Sequence, residues 1–163
     1  DYFIYGTEDS AFFDHTDTGW INQLTEIIKK NPTIGRINLV NPCDREGSTI
    51  DNNPHYKADL YQNHGDWDLY KLTKDSNYAI TAQMSIWNKK FFLDYCQPNC
   101  SPWDFELNGS SRWAENQDFS VLLVYGEKYP ISKVEAYAST RGWENKEAWI
   151  DLISPSLREE IKL

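Results

Sequence analysis

The sequence is poor in the residues that define several large classes of protein. Only three of its 163 residues are cysteine, and Cys96 and Cys100 lack the spacing and the second pair of a zinc site. Lys and Arg number 16 against 25 Asp and Glu, which gives a net charge of −9. The chain therefore lacks the basic face that binding to nucleic acid requires. No apolar run is long enough to cross a bilayer, so we expect no transmembrane segment.

A signal-peptide pattern is also missing, and scattered thiols suit a reducing compartment, so the sequence predicts a cytoplasmic protein. Its length is that of one domain with a proper core, and residues 1–163 are interpreted as a single domain. The chain opens on the strand-like run Asp1-Tyr2-Phe3-Ile4-Tyr5, without an initiator Met. We therefore expect it to be the C-terminal portion of a longer, N-terminally truncated protein.

Aromatic residues, in contrast, are abundant. They make up 15% of the chain and include seven Trp and ten Tyr. Flat rings of this kind stack on the faces of sugars, and they also fill the cores of ordinary mixed domains. Both interpretations stay open from composition alone.

Alternating and apolar runs predict strands between helices. A helix capped by Asp17 or Thr18 carries apolar residues at the helical period. A half-buried strand, Gly35 to Val40, follows it. The remaining predicted strands are Tyr56–Tyr61, Trp67–Thr73, Tyr78–Gln83, Phe119–Tyr125 and Ile131–Tyr137, and the closing helices are Glu144–Ile153 and Pro155–Ile161. This order indicates an α/β domain in which helices flank a mixed sheet.

The segment Ser101-Pro102-Trp103-Asp104-Phe105-Glu106 is the most informative part of the chain. Ser101 suits a helix N-cap, Pro102 suits the first helical position, and Asp104 stands where a capping box needs an acid. Helix initiation accounts for these three residues and leaves Trp103 and Glu106 without a reason.

This segment belongs to a longer ordered pattern. It is preceded by Gln83-Met84-Ser85-Ile86-Trp87-Asn88-Lys89-Lys90-Phe91 and, earlier, by Ile34-Gly35-Arg36-Ile37-Asn38-Leu39. The order resembles bacterial and phage glycosyltransferase-like proteins with the GT-A fold, over roughly Asp1 to Gly142. The resemblance implies the acceptor-side part of a nucleotide-diphospho-sugar transferase, with most of the nucleotide-binding half missing and this portion inactive by itself. It implies a nucleotide-sugar donor and a glycan or other hydroxyl acceptor.

The resemblance also assigns roles to particular residues. Glu106 matches the carboxylate that acts as general base in inverting members, and Asp104 is a second, weaker match. Asp1 matches a strand-end acid that holds a divalent metal, Mn²⁺ or Mg²⁺, which is expected only with the complete donor site, and no complete Asp-x-Asp motif is present. Trp103 would stack on a sugar ring, and Trp87 would lie beneath the substrate.

Arg112 is a further substrate-binding candidate, because it could meet phosphate or an acidic sugar, as could Arg141. The alternatives are ordinary: Arg112 fits a surface ion pair, Glu106 fits a solvated acid in a first helical turn, and both tryptophans fit a core. A non-catalytic carbohydrate-binding or structural domain is therefore the competing hypothesis. Edges left by the missing half predict a homodimer.

Overall fold

An open, mixed sheet with helices on both faces forms the body of the protein. The computed structural model describes residues 1–6, 10–12, 15–42, 49–116, 118–131, 133–135 and 155–160. The strands are β1 (Tyr2–Tyr5), β2 (Ser10–Phe12), β3 (Ile34–Asn38), β4 (Ala58–Asn63), β5 (Trp67–Leu72), β6 (Ser85–Asn88), β7 (Ser120–Gly126) and β8 (Lys133–Glu135). The helices are α1 (Thr18–Lys30), α2 (Lys89–Tyr95), α3 (Pro102–Asn116) and α4 (Pro155–Glu160). The predicted α/β class is confirmed.

Six strands form the main sheet in the order β1-β6-β3-β7-β5-β4, and β2 pairs with β8 in a separate two-stranded sheet. Strands β3 and β7 are parallel neighbours at its centre, whereas β6 and β5 run antiparallel to them. Loops that leave the carboxyl ends of β3 and β7 therefore emerge at the same edge of the sheet. Ligands of open α/β sheets bind at such edges.

The first face of the sheet is covered by α1. Asp17 caps this helix by accepting a hydrogen bond from the Trp20 amide at 2.8 Å, as the sequence predicts. Leu24 and Ile28 of α1 are fully buried against Ile37 of β3 and Leu122 of β7.

The second face carries α2 and α3 over an aromatic core. Asn88 caps α2, accepting from the amides of Lys90 and Phe91. Gly35 of β3 lies so close to Phe91 that a Cβ atom there would be 2.5 Å from the ring. The core on this face is formed chiefly by Ile80, Trp87, Phe91, Tyr95, Phe105, Trp113, Val121 and Leu123.

Two strand predictions need correction. Strand β3 was expected to be half-buried, but all five of its residues are buried because helices cover both faces. Residues 78–83 were expected to form a strand, yet they form turns and irregular backbone, and the strand begins only at Ser85. Side chains from β3 and α3 bind the backbone of this segment and so replace a strand neighbour.

The other predicted elements are present, and the helix from Pro155 is confirmed, although residues 132, 136, 137 and 161 of these predictions lie outside the described residues. The predicted helix Glu144–Ile153 lies outside the described residues, as do Cys43 and Arg141. Among the helices described, none combines the length and apolar character needed to span a bilayer.

Candidate functional site

Glu106 is positioned by the way α3 begins. Ser101 Oγ accepts a hydrogen bond from the Asp104 amide at 3.1 Å, and the Ser101 amide donates to Asp104 Oδ2 at 3.1 Å. This reciprocal capping box confirms the predicted helix start. It fixes the first turn, from which Phe105 is buried and Glu106 is half-buried against the sheet.

One oxygen of Glu106 is held by backbone. Its Oε1 accepts a hydrogen bond from the Ala82 amide at 2.7 Å. Within the described residues this amide is the only hydrogen-bond partner recorded for the carboxylate. The result is a fixed, partly accessible carboxylate at the edge of an aromatic core.

Ala82 belongs to a segment, residues 79–84, that we call the carboxylate loop. Ser110 of α3 binds both main-chain groups of Ile80: its Oγ accepts from the amide at 2.9 Å and donates to the carbonyl at 3.1 Å. Ser85 Oγ donates to the Gln83 carbonyl at 2.8 Å. The loop is buried from Ala79 to Ala82, so these side chains satisfy backbone groups that water cannot reach.

Arg36 is the functional candidate that the sequence reasoning missed. Its side chain is fully buried, and it donates from Nε to Ser85 Oγ at 2.9 Å and from Nη1 to the Ala79 carbonyl at 3.0 Å. Its guanidinium lies 5.3 Å from the centre of the Trp87 ring. An arginine inside a predicted strand, between Ile34 and Ile37, was the available signal, because arginine is almost never fully buried without a partner.

Burial lowers the pKa of Arg36 to about 10, while the Tyr56 hydroxyl, once ionised, and the Glu106 carboxylate partly oppose that shift. No carboxylate lies within salt-bridge distance of it in the part of the chain that is described, and Nη2 has no hydrogen-bond partner there. Glu106 is thus the carboxylate whose charge acts on this buried cation.

Asp104 lies apart from this cluster. It is exposed, and its Oδ2 accepts from Ser101 Oγ at 2.6 Å. The hydrogen bonds from the Ser101 side chain and amide lower the pKa of Asp104. A carboxylate committed to the helix cap and ionised at low pH is a weak proton acceptor, so Glu106 is the better placed of the two predicted acids.

The two predicted tryptophans have opposite environments. The Trp87 ring is fully buried and packs against Phe91, Phe92 and Phe105. Trp87 is part of the aromatic core and presents no surface to a ligand. Trp103 is 67% exposed on the first turn of α3. It has the accessible ring that stacking on a sugar requires.

Arg112 is half-buried on α3, where it contacts the C-terminal end of α2. Its Nη2 donates to the Tyr95 carbonyl at 2.9 Å, and the guanidinium lies 5.3 Å from the Tyr95 ring centre. These contacts give Arg112 a structural task at the end of α2, where a positive charge is favourable.

Asp1 is not brought together with Glu106. The Asp1 carboxylate is exposed and lies 3.7 Å from Lys89 Nζ, and the Asp1 carbonyl accepts from the Lys89 amide. Lys89 follows the last residue of β6, whereas Ala82, which binds Glu106, precedes the first. Asp1 therefore contacts the residue that follows β6, whereas Glu106 binds the segment that precedes it, so the two residues lie at opposite ends of this strand. No cluster of three or more His, Cys, Asp or Glu suited to a metal occurs among the described residues.

A separate cleft of about 880 Å³ opens near the N-terminus of α1. Trp20 of α1, Trp67 of β5 and Tyr125 of β7 line it together with Asp66 and Glu127. The centres of the Trp20 and Trp67 rings are 5.2 Å apart, and His64 stacks on Trp67 with ring centres 3.8 Å apart. The sequence did not predict this cleft, because its walls come from three segments that are distant along the chain.

Comparisons with protein-family models, curated proteins and solved structures found no significant match.

Proposed function

We propose that the chain is the acceptor-side part of a glycosyltransferase, in which Glu106 is the general base. It would receive a hydroxyl-bearing acceptor, such as a glycan, and a sugar from a nucleotide-sugar donor. We also propose that the fold is related to the GT-A fold, as the resemblance of the residue pattern implies.

One observation carries the proposal: Glu106 is held by the Ala82 amide through one oxygen, and no second hydrogen bond to its carboxylate is recorded among the described residues. A general base needs a fixed position and an oxygen that can take up a proton. Half-burial beside Phe105 provides a partly apolar setting, and the exposed Trp103 ring supplies a stacking surface one turn away on the same helix.

The proposed step is a displacement at the anomeric carbon of the donor. The acceptor oxygen forms a bond to that carbon while its proton passes to the unbound oxygen of Glu106. The bond between the anomeric carbon and the diphosphate oxygen breaks, and its electron pair leaves with the nucleoside diphosphate. A base that removes the proton as the bond forms contributes roughly 10²- to 10⁴-fold to such a rate.

The divalent metal that the residue pattern implies belongs to the complete donor site, and Asp1 is its candidate ligand in this chain. Asp1 is an exposed carboxylate with Lys89 beside it, and the described residues place no cluster of metal-ligating side chains around it. A cytoplasmic location and a homodimer also belong to the proposal, the latter supported by the outer edge of β1, which has no neighbouring strand among the described residues and exposes Ile4.

The first experiment follows acceptor binding by NMR. The ¹⁵N-labelled 163-residue chain is titrated with neutral sugars, namely glucose, galactose, N-acetylglucosamine and their disaccharides. We expect saturable shifts of the amides of Ala82 and Phe105, and a Kd about tenfold weaker in Glu106→Gln, since hydrogen bonds to charged groups are the stronger ones.

The matched control is Glu115→Gln, which makes the same change at an exposed position near the end of α3. We expect Glu115→Gln to bind as the unaltered chain does. The proposal is overturned if no sugar shifts these amides, or if Glu106→Gln and Glu115→Gln bind equally well.

The aromatic cleft favours a second candidate, a non-catalytic carbohydrate-binding domain. Trp20, Trp67 and Tyr125 there are joined by Asp66 and Glu127, whose carboxylates can accept hydrogen bonds from sugar hydroxyls. The same titration separates the two functions. Shifts confined to Trp67, Tyr125 and their neighbours would favour this second candidate.

A further inference from the structure

The carboxylate loop is fastened at both ends by one buried side chain. Arg36 donates to the Ala79 carbonyl at the start of the loop and to Ser85 Oγ just after its end, at 3.0 and 2.9 Å. Ala82, whose amide binds Glu106, lies midway between these two anchors. The planar guanidinium suits this task, because its donors point in fixed, diverging directions.

The position of Arg36 is itself fixed by the sheet. It lies on β3, which pairs with β6 on one side and with β7 on the other. Its guanidinium is also held over the Trp87 ring. The anchor therefore lies in a central strand of the sheet, whereas the loop that it holds lies outside the strands. The loop is bonded to the chain after β3 through Met84, whose carbonyl accepts from the Leu39 amide at 3.0 Å.

The cost of burying Arg36 needs an explanation. Its side chain is fully buried, and no salt bridge to it is recorded among the described residues. Removing a positive charge from water without a paired anion is expensive, and a core needs only an apolar side chain at this position. Unlike an apolar side chain, Arg36 forms hydrogen bonds at both ends of the carboxylate loop. Its positive charge also acts on the Glu106 carboxylate.

We propose that Arg36 is a positioning residue, which holds the carboxylate loop so that the Ala82 amide fixes Glu106 for proton transfer. The part of this inference that concerns proton transfer rests on the proposed function. The claim that Arg36 holds the loop in place concerns only the protein, so it is tested without any sugar.

Hydrogen exchange at two amides tests whether Arg36 holds the loop in place. The Ala82 amide reports on the loop, and the fully buried Leu122 amide in the central strand β7 reports on global stability. In Arg36→Met we expect exchange at Ala82 to accelerate about tenfold more than exchange at Leu122, because the loop loses both anchors. The Ala82 amide proton should also move upfield as its short bond to the carboxylate loosens.

Arg112→Met is the matched control. Arg112 also donates to a backbone carbonyl and also lies 5.3 Å from an aromatic ring centre, but its partner is Tyr95 at the end of α2. We expect Arg112→Met to change exchange at Ala82 and Leu122 in the same proportion and to leave the Ala82 proton shift in place.

Two milder variants keep the inference testable if Arg36→Met does not fold. Arg36→Lys keeps the charge but reaches one anchor at a time, and Ser85→Ala removes the acceptor of the Nε bond. Both should raise the ratio of Ala82 to Leu122 exchange, by less than Arg36→Met. If the ratio is unchanged in every variant that folds, Arg36 does not position the loop and the inference is overturned.

Because no ligand enters this test, its failure differs from failure of the proposed function. A raised exchange ratio without sugar binding would leave Arg36 as the anchor of the loop and remove the role in transfer. Sugar binding at Glu106 with an unchanged exchange ratio would support the proposed function and show that Arg36 does not anchor the loop.

Discussion

Two tryptophans of the same residue pattern have opposite environments in the structure. Trp87 is fully buried among three phenylalanines, and Trp103 is 67% exposed on the first turn of α3. Their neighbours in sequence do not distinguish them, because each stands close to a helix start. What distinguishes them is that side chains of α2 and α3 cover the ring of Trp87 in the structure.

Replacing each tryptophan by alanine should therefore have different effects on folding. We expect Trp87→Ala to lower the free energy of unfolding by about 3–5 kcal/mol, since a large buried ring leaves a cavity. Trp103→Ala should change it by no more than about 0.5 kcal/mol. Urea unfolding followed by far-UV circular dichroism measures both values, and equal losses would show that Trp103 is also part of the core.

At the scale of elements, the β4–β5 hairpin carries an aromatic ladder. His64 in its turn stacks on Trp67 at 3.8 Å, and Trp67 contacts Trp20 of α1. Burial lowers the pKa of His64, and the nearby Asp68 partly opposes that shift. The ladder thus joins the hairpin to α1 through a ring that is favoured in its neutral form.

This pKa shift predicts a dependence of stability on pH. The unfolded chain takes up the His64 proton near pH 6.5, whereas the folded protein resists it to lower pH. The stabilisation by neutral His64 is therefore complete above about pH 6.5 and is lost as the pH falls toward the lower folded value. We expect the urea concentration at the unfolding midpoint to decrease when the pH is lowered from 7.5 to 5.5. The decrease should be smaller in His64→Phe.

His55→Phe is the control, because His55 also packs against an aromatic ring, Tyr78, but in a different loop. It should keep the pH dependence of the unaltered protein. If His64→Phe and His55→Phe lose stability equally between the two pH values, the stacked ring is not its source.

At the scale of the whole molecule, the sheet ends in two unlike edge strands. Strand β4 is interrupted by a register shift between Leu60 and Gln62, which is a common way to blunt an edge. Strand β1 pairs with β6 in unbroken register and has a described neighbour on that side only. Its sequence, Tyr-Phe-Ile-Tyr, is apolar throughout.

The β1 edge is therefore the surface from which we expect self-association. Ile4 on β1 is 48% exposed and Leu60 on β4 is 57% exposed. Sedimentation velocity over rising concentration should show a dimer that Ile4→Lys weakens and that Leu60→Lys leaves intact, because a charge on an edge strand opposes pairing. A monomer at all concentrations, or equal effects of both variants, would contradict an interface at β1.

Local chemistry was enough to predict much of the fold. The caps by Asp17 and Ser101 and the strand near Phe119 follow from short-range preferences of the chain, and the structure has them. The segment 78–83 was predicted wrongly because its apolar residues are typical of a strand. Its backbone is bonded instead to side chains that lie far away in sequence.

The sequence by itself determined the α/β class, the helix starts and Glu106 as the acid left over once the cap of α3 was explained. Only the tertiary structure decided that Arg36 of β3, residues 79–84 and Glu106 of α3 meet at one place. The tertiary structure also decided that Asp1 and Glu106 contact the chain at opposite ends of β6. Such meetings depend on strand order and register, which are set by packing across the whole sheet, whereas caps and periodicity depend on neighbours a few residues away.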